Sequence, residues 1–469
     1  MKLVPNRPLA WHSLLALGLA LALLPLTPGG RAEAQPRDRQ GPPHQMAPFA
    51  AQPDVDLLCG APQADGVSLV MLSHRRDERV RLELSPPLPA GTPQWSLRRS
   101  EPLSVQLSGL QANTAYRYTL RGADERLLAQ GAWQTGRPAG SAFRFTLTAD
   151  SHLDQNTDTS MYQRTLALAR EDQPDFHLDL GDTFMVDKHA SRDSAAAQYL
   201  AQHHYLAQLG RPVFLVLGNH DGEEARLHRG ADSLAEWANA QRRRLFANPS
   251  PGGLYSGDAG TATDGHALQD YYAWTWGDAL FVVLNPYWHA PAGRQDERWG
   301  LSLGEVQYRW LQATLAASKA RYKLVFVHQL VGGIDRQGRG GIEGARYGEW
   351  GGDNADGSPG LAQWRPGWAE PIHALLVRHG VTAVFHGHDH LYASQRLDGV
   401  AYIEVPQPGH RGPGHSQAGA DYGYRAGTVR GEGGYLRIDI NADRLAARFI
   451  GTDGPEARVL HETLLEPRR

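Results

Sequence analysis

The stretch Phe385-His386-Gly387-His388-Asp389-His390 decides how the rest of the chain is read. Three histidines alternate there, directly after the apolar run Val381 to Phe385. Alternation is the period of a β-strand, so the spacing predicts a strand that presents His386, His388 and His390 to one face. Gly387 between them predicts a close approach of another group to the backbone. Neutral imidazole suits Zn, Fe, Ni or Cu. A histidine pair becomes a metal site only if other segments bring ligands to the same place.

From Gly136-Arg137-Pro138 onward, apolar strands alternate with amphipathic helices. Strands are expected at Phe143 to Thr148, Phe176 to Leu180, Val213 to Leu217, Leu280 to Leu284, Leu324 to Val327 and Val381 to Phe385. Helices are expected near 160–170, 194–209, 303–318 and 368–379. Nearly continuous apolar strands between helices imply sheets covered by helices. In the tail, Ala401 to Val405, Tyr435 to Ile440 and Arg444 to Ile450 read as strands that complete a second sheet.

Polar clusters recur where these strands end. They are Asp150-Ser151-His152, Gly181-Asp182, Gly218-Asn219-His220-Asp221, His328, and the opening motif. Ligand sites in α/β sheets gather at the carboxyl ends of strands. The clusters describe a site of oxygen and nitrogen ligands without sulfur.

The N-terminal third has a different character. Lys2 and Arg7, the apolar core Leu14 to Leu24, and Ala32-Glu33-Ala34 read as a secretory signal over 1–34, cleaved after Ala34. Residues 35–54, rich in Pro, Gln and Arg, read as a disordered linker. Over 55–137, short β-type runs such as Val80-Arg81-Leu82-Glu83-Leu84 alternate with Pro/Gly turns, the pattern of a small all-β sandwich. That sandwich is expected to pack beside the α/β domain rather than bind carbohydrate or a cell surface. Cys59 is the only cysteine, which excludes an intrachain disulfide and a thiolate zinc cluster, and its place in an apolar run predicts burial.

The 469 residues are 41% hydrophobic and 21% charged, globular values, and exceed one ordinary domain. Net charge is −3; Lys2, Arg7 and Arg31 leave with Glu33 in the leader, so the mature chain is near −5. That balance argues against nucleic acid as a bulk partner. No stretch beyond the leader has transmembrane length.

The ordered blocks D-x-H, G-D, G-N-H-D, an isolated His and G-H-x-H, across 150–390, resemble the calcineurin-like metallophosphoesterases. The sandwich in front resembles the purple acid phosphatase branch, and Leu110 to Tyr118 resembles the tyrosine-corner segment of fibronectin type III domains. The resemblance implies a four-layer α/β/β/α domain over 141–465, behind a fibronectin type III-like sandwich. It implies two metal ions, Fe, Mn or Zn. Asp150, His152 and His390 would hold one, Asn219, His328 and His388 the other, and Asp182 would bridge them. His220 would face the substrate phosphate, with Asp221 holding its ring. The implied reaction is hydrolysis of a small phosphate monoester by a metal-bridging hydroxide, with phosphodiesters as the alternative.

A non-catalytic secreted protein with a vestigial site is the rival reading. Decay would be expected to remove a ligand or His220, and none is missing. In purple acid phosphatases a tyrosine follows the G-D motif; here Met185 takes that position, so no phenolate is available and the ferric state is not expected. His386 exceeds what the motif needs and reads either as a partner that supports the ligands or, the favoured reading, as a packed histidine bonded to the backbone; Asp389 is expected to be structural. The Gly-rich segment 332–361 begins beside His328 and is expected either to form a wall or lid of the substrate pocket, with Arg336, Arg339 and Arg346 contacting phosphate, or to be a solvated excursion.

Overall fold

A computed structural model of the chain describes residues 45–47, 53–225, 230–291, 297–411 and 414–468. The leader 1–34 lies outside the described residues. Part of the stretch expected to be linker is instead packed: buried Ala47 donates its amide to the Leu153 carbonyl at 3.0 Å.

The first seven strands form the sandwich. They are β1 (Val55–Gly60), β2 (Gly66–Ser73), β3 (Glu78–Ser85), β4 (Gln94–Leu97), β5 (Leu103–Ser108), β6 (Ala115–Gly122) and β7 (Leu127–Gln134). One sheet has the order β1-β2-β5 and the other β4-β3-β6-β7. Alternate residues Leu82, Tyr116, Tyr118 and Leu120 face Leu57, Cys59, Leu69 and Met71 in one core. The Gln111 amide donates to the Tyr116 hydroxyl at 2.8 Å, closing the corner before β6. Cys59 is a buried free thiol, and burial pushes it up to about 12.

The rest of the chain makes two further sheets. The first joins β8 (Phe143–Thr148), β9 (Phe176–Asp179) and β10 (Val213–Leu215), parallel to one another, to the tail strands β19 (Gly434–Ile440), β20 (Leu445–Gly451) and β21 (Arg458–Leu465). The second holds β11 (Ser256–Gly257), β12 (Tyr272–Trp276), β13 (Ala279–Val283), β14 (Tyr322–Phe326), β15 (Ala383–His386), β16 (Tyr392–Leu397), β17 (Val400–Glu404) and β18 (Thr428–Arg430), with β13, β14, β15 and β17 parallel. The tail therefore does not complete one sheet: β17 joins the second, whereas β19 lies antiparallel to β8 in the first.

Between the sheets lies an aromatic core. Phe281 stacks on Phe326 at 5.7 Å, and Phe326 on Phe385 at 5.2 Å. The period of two sends Phe281 and Val283 into this layer, and Leu280 and Val282 outward. The outward side chains of the first sheet meet α1 (Thr159–Glu171), α2 (Arg192–Ala207) and α3 (Leu234–Leu245). Those of the second meet α4 (Gly304–Ala317) and α7 (Ile372–Arg378), with the short α5 (Gly348–Gly351) beside them. The result is the four-layer α/β/β/α architecture. Short α6 (Leu361–Trp364) and α8 (Gly414–Asp421) complete the helices among the described residues.

Candidate metal centre

The ends of β8, β9, β10, β14 and β15 meet at one point. Asp150 gives one oxygen to the backbone and keeps the other for the site. Oδ2 accepts the His388 amide at 2.9 Å, while Oδ1 lies 3.5 Å from His390 Nε2 and 3.7 Å from His152 Nε2. Asp182 is arranged the same way. Its Oδ1 accepts the His220 amide at 2.8 Å, leaving Oδ2 3.3 Å from His328 Nε2 and 3.8 Å from His152 Nε2. Asn219 Oδ1 stands 3.1 Å from His328 Nε2.

Carbonyl oxygens fix two tautomers, because they can only accept. His328 Nδ1 donates to the Leu180 carbonyl at 2.8 Å, so Nε2 is the ring nitrogen that faces Asp182 and Asn219. His388 Nε2 donates to the Gln337 carbonyl at 2.7 Å, which leaves Nδ1 for the site. Such outer bonds orient ligating imidazoles.

Two triads of ligand atoms converge, Asp150/His152/His390 and Asp182/His328/His388, each within 4.8 Å. These residues fit metal ions. Asp150 Oδ1 and His152 Nε2 are buried and have no hydrogen-bond partner, a costly state that a cation at their centre would relieve. Burial disfavours charge on every ring and prevails at His388 and His390, pushed down to about 4 and about 3. At His328 the Asp182 and Asp150 carboxylates outweigh burial and hold it up to about 10. The carboxylate pair thus makes this centre a place for positive charge.

Five of the seven predicted ligands, Asp150, His152, Asp182, His388 and His390, have φ between 51° and 86°. Non-glycine residues rarely adopt that region, and its cost concentrates at functional sites. Two motif glycines follow from the crowding. A Cβ at Gly387 would meet Asp150 Oδ2 at 2.6 Å, and one at Gly218 would meet Asp182 Oδ1 at 2.2 Å.

Several expectations change. The opening motif is not a strand throughout: β15 ends at His386, and the left-handed backbone at His388 and His390 turns them into the site. His386 is a packed histidine, as expected: its ring bonds the Gly387 backbone, and Nδ1 also lies 2.5 Å from the buried Glu404 carboxylate. Asp221 does not hold the His220 ring. It accepts the amides of Thr183, Phe184 and Gly218 at 2.8, 2.9 and 2.7 Å, fixing the loops that carry Asp182 and Asn219. The carboxylate on His220 Nδ1 is Asp187, at 2.9 Å. Sequence reasoning missed Asp187; its signal was the short turn after Gly181-Asp182, entered through the left-handed φ of Met185.

The segment 332–361 is packed into the domain. Trp350 and Glu349 are fully buried, the Trp350 indole donates to the Tyr402 hydroxyl at 2.9 Å, and Glu349 pairs with Arg365. The Gly340 amide donates to Asp389 Oδ2 at 2.8 Å. Two of the three arginines are committed elsewhere: Arg339 bonds Asp335 at 2.7 Å and lies over Tyr422, and Arg346 bonds Asp353 at 2.9 Å. Arg336 is exposed next to Gln337.

This arrangement defines a metallophosphoesterase. The chain belongs to the calcineurin-like phosphoesterase family, whose model matches residues 143–392. Among solved structures it is similar to PhoD, with TM-score 0.59 and 14% identity over 90% of this chain and 92% of that one. It is likewise similar to the purple acid phosphatase PPD1 from yellow lupin (Lupinus luteus) seeds, with TM-score 0.58 and 13% identity over 90% of this chain and 74% of that one. At such identities the likeness shows the fold alone. No curated protein matches the chain in sequence.

Proposed function

We propose that this protein is an exported phosphoesterase that uses two metal ions to hydrolyse small phosphate monoesters. The observation that carries it is Asp182 Oδ2, placed between His328 Nε2 at 3.3 Å and His152 Nε2 at 3.8 Å, where one oxygen serves both ligand sets. When bound, the ions, Fe, Mn or Zn, would supply an activated water and polarise the ester. The chain's own residues do the rest. Asp150 and Asp182 set the charge of the centre. Asp187 accepts a hydrogen bond from His220 Nδ1–H, which orients the ring so that its protonated form can give the Nε2 proton to the departing alkoxide and return to the neutral imidazole. Segment 332–361 bounds the substrate side through Gln337.

After metal loading, p-nitrophenyl phosphate is expected to be hydrolysed faster than bis-p-nitrophenyl phosphate; the reverse order would assign a phosphodiesterase. Asn219→Ala is expected to lose metal together with activity, and His220→Ala to keep its metals and lose turnover. If neither ester is cleaved, and Asn219→Ala binds as much metal as wild type, the proposal fails. Export rests on the leader-like residues 1–34. Mass spectrometry of the mature protein is expected to find Gln35 first. Among the described residues no helix is long and apolar enough to cross a membrane.

A further inference from the structure

A third set of ligand atoms converges away from the catalytic cluster. Asp258 follows β11, Asp270 precedes β12 and His289 lies beyond β13. The pairing of β11 with β12, and of β12 with β13, brings the three together. One ligand atom from each lies within 4.8 Å of the others. His289 Nε2 stands 2.9 Å from Asp258 Oδ2 and 3.3 Å from Asp270 Oδ2. Both carboxylates are buried.

Two carboxylates buried together need compensating charge and donors. Arg242 is close, yet four of its five N–H donors are spent. Nε and Nη2 bond Glu223 at 2.6 and 3.0 Å, while Nη1 and Nη2 bond the Gln269 and Leu268 carbonyls at 3.0 and 2.8 Å. The Gly260 amide serves Asp258 Oδ1 at 2.7 Å, and the Asn285 amide group serves Asp270 Oδ2 at 2.9 Å. Asp270 Oδ1 remains, fully buried and without a hydrogen-bond partner. The observation is independent of the clustering, and it marks a donor set that side chains and backbone leave incomplete.

We propose that Asp258, Asp270 and His289 form a third metal-ion site, for a divalent transition ion, with Zn²⁺ the best match. Zinc takes imidazole nitrogen and carboxylate oxygen in four-coordinate sites, whereas Ca²⁺ takes six to eight oxygens. His289 borders a cleft of about 390 Å³ with Trp288, Gly230, Ser233 and Glu236. The ion would tie the 258–270 segment to the segment carrying Tyr287. The Tyr287 hydroxyl donates to Gln329, beside His328, at 2.9 Å. Its effect is therefore on the rigidity of the site wall.

The test uses full-length protein stripped by chelator and re-equilibrated with Zn²⁺. Asp270→Asn and His289→Ala are each expected to hold one zinc fewer per chain than wild type by elemental mass spectrometry. Both are also expected to lose most of the wild-type rise in Tm on adding Zn²⁺. Diffraction from wild-type crystals above the zinc edge is expected to show an anomalous peak between the three side chains, a measurement that needs no variant to fold. Equal zinc counts in well-folded variants and wild type, or no peak there, overturn the proposal. Because the count is a difference, it stands or falls separately from the catalytic metals.

Discussion

His220 Nδ1 lies 2.9 Å from the carboxylate of Asp187, a residue 33 positions away in sequence, while its neighbour Asp221 gives its oxygens to three backbone amides. One acid orients a ring in the cleft; the other holds two loops together. The side chains of His220 and Asp187 are 23% and 34% exposed, so the pair meets solvent, whereas Asp221 is buried.

The two acids predict separable phenotypes. Asp187→Asn is expected to lower kcat about 10–100-fold with metal content and Tm near wild type. Asp221→Ala strands three amides and is expected to cost roughly 2–4 kcal/mol of stability, read by urea unfolding. Should Asp187→Asn turn over at the wild-type rate, the assignment of Asp187 is wrong.

Asp389 ties the wall to the metal-binding turn. Its Oδ2 accepts from the Gly340 amide and the Tyr424 hydroxyl, both at 2.8 Å, while the Gln337 carbonyl three residues before Gly340 meets His388. Asp389→Ala is expected to raise KM for p-nitrophenyl phosphate several-fold, with a smaller change in kcat. An unchanged KM in a folded variant would remove Gly340–Asp389 as the wall's anchor. Deleting 336–350 is a poorer test, because Trp350 and Glu349 are core residues.

Asp56 predicts acid sensitivity between the sandwich and α2. Its carboxylate bonds His74 at 2.7 Å, within the sandwich, and His204 of α2 at 3.0 Å. Burial opposes its charge, yet His203, His204 and His74 outweigh burial and hold Asp56 well below the usual carboxylate range. A depressed folded value means the contribution is present above the unfolded value near 3.8 and is lost as pH falls below it. Wild-type Tm is expected to drop as pH falls below about 4, and Asp56→Asn to lose that part of the drop while starting about 2 kcal/mol less stable at pH 7. Parallel Tm–pH curves for the two proteins would rule Asp56 out as the source.

The fold was legible because burial imposes a period. Phe145, Leu147, Phe281, Val283, Phe326 and Phe385 stand at alternating positions facing one core, and helices were readable from their apolar stripes. The seven candidate ligands were legible because each sits in a short motif at a strand end, where the chain order brings it to one edge of the sheets. His386 shared the spacing of its neighbours and was harder to place: the strand period stops at that residue, and the turn that follows depends on left-handed φ values.

The sequence by itself determined the architecture, the family and the set of candidate ligands, because local period and motif order carry them. The tertiary structure alone decided which acid holds His220, which nitrogen of His388 is free, where Arg339 and Arg346 spend their charge, and that Asp258, Asp270 and His289 meet. Those are contacts between segments distant along the chain, set by how two sheets and their loops pack, and no local pattern of residues encodes them.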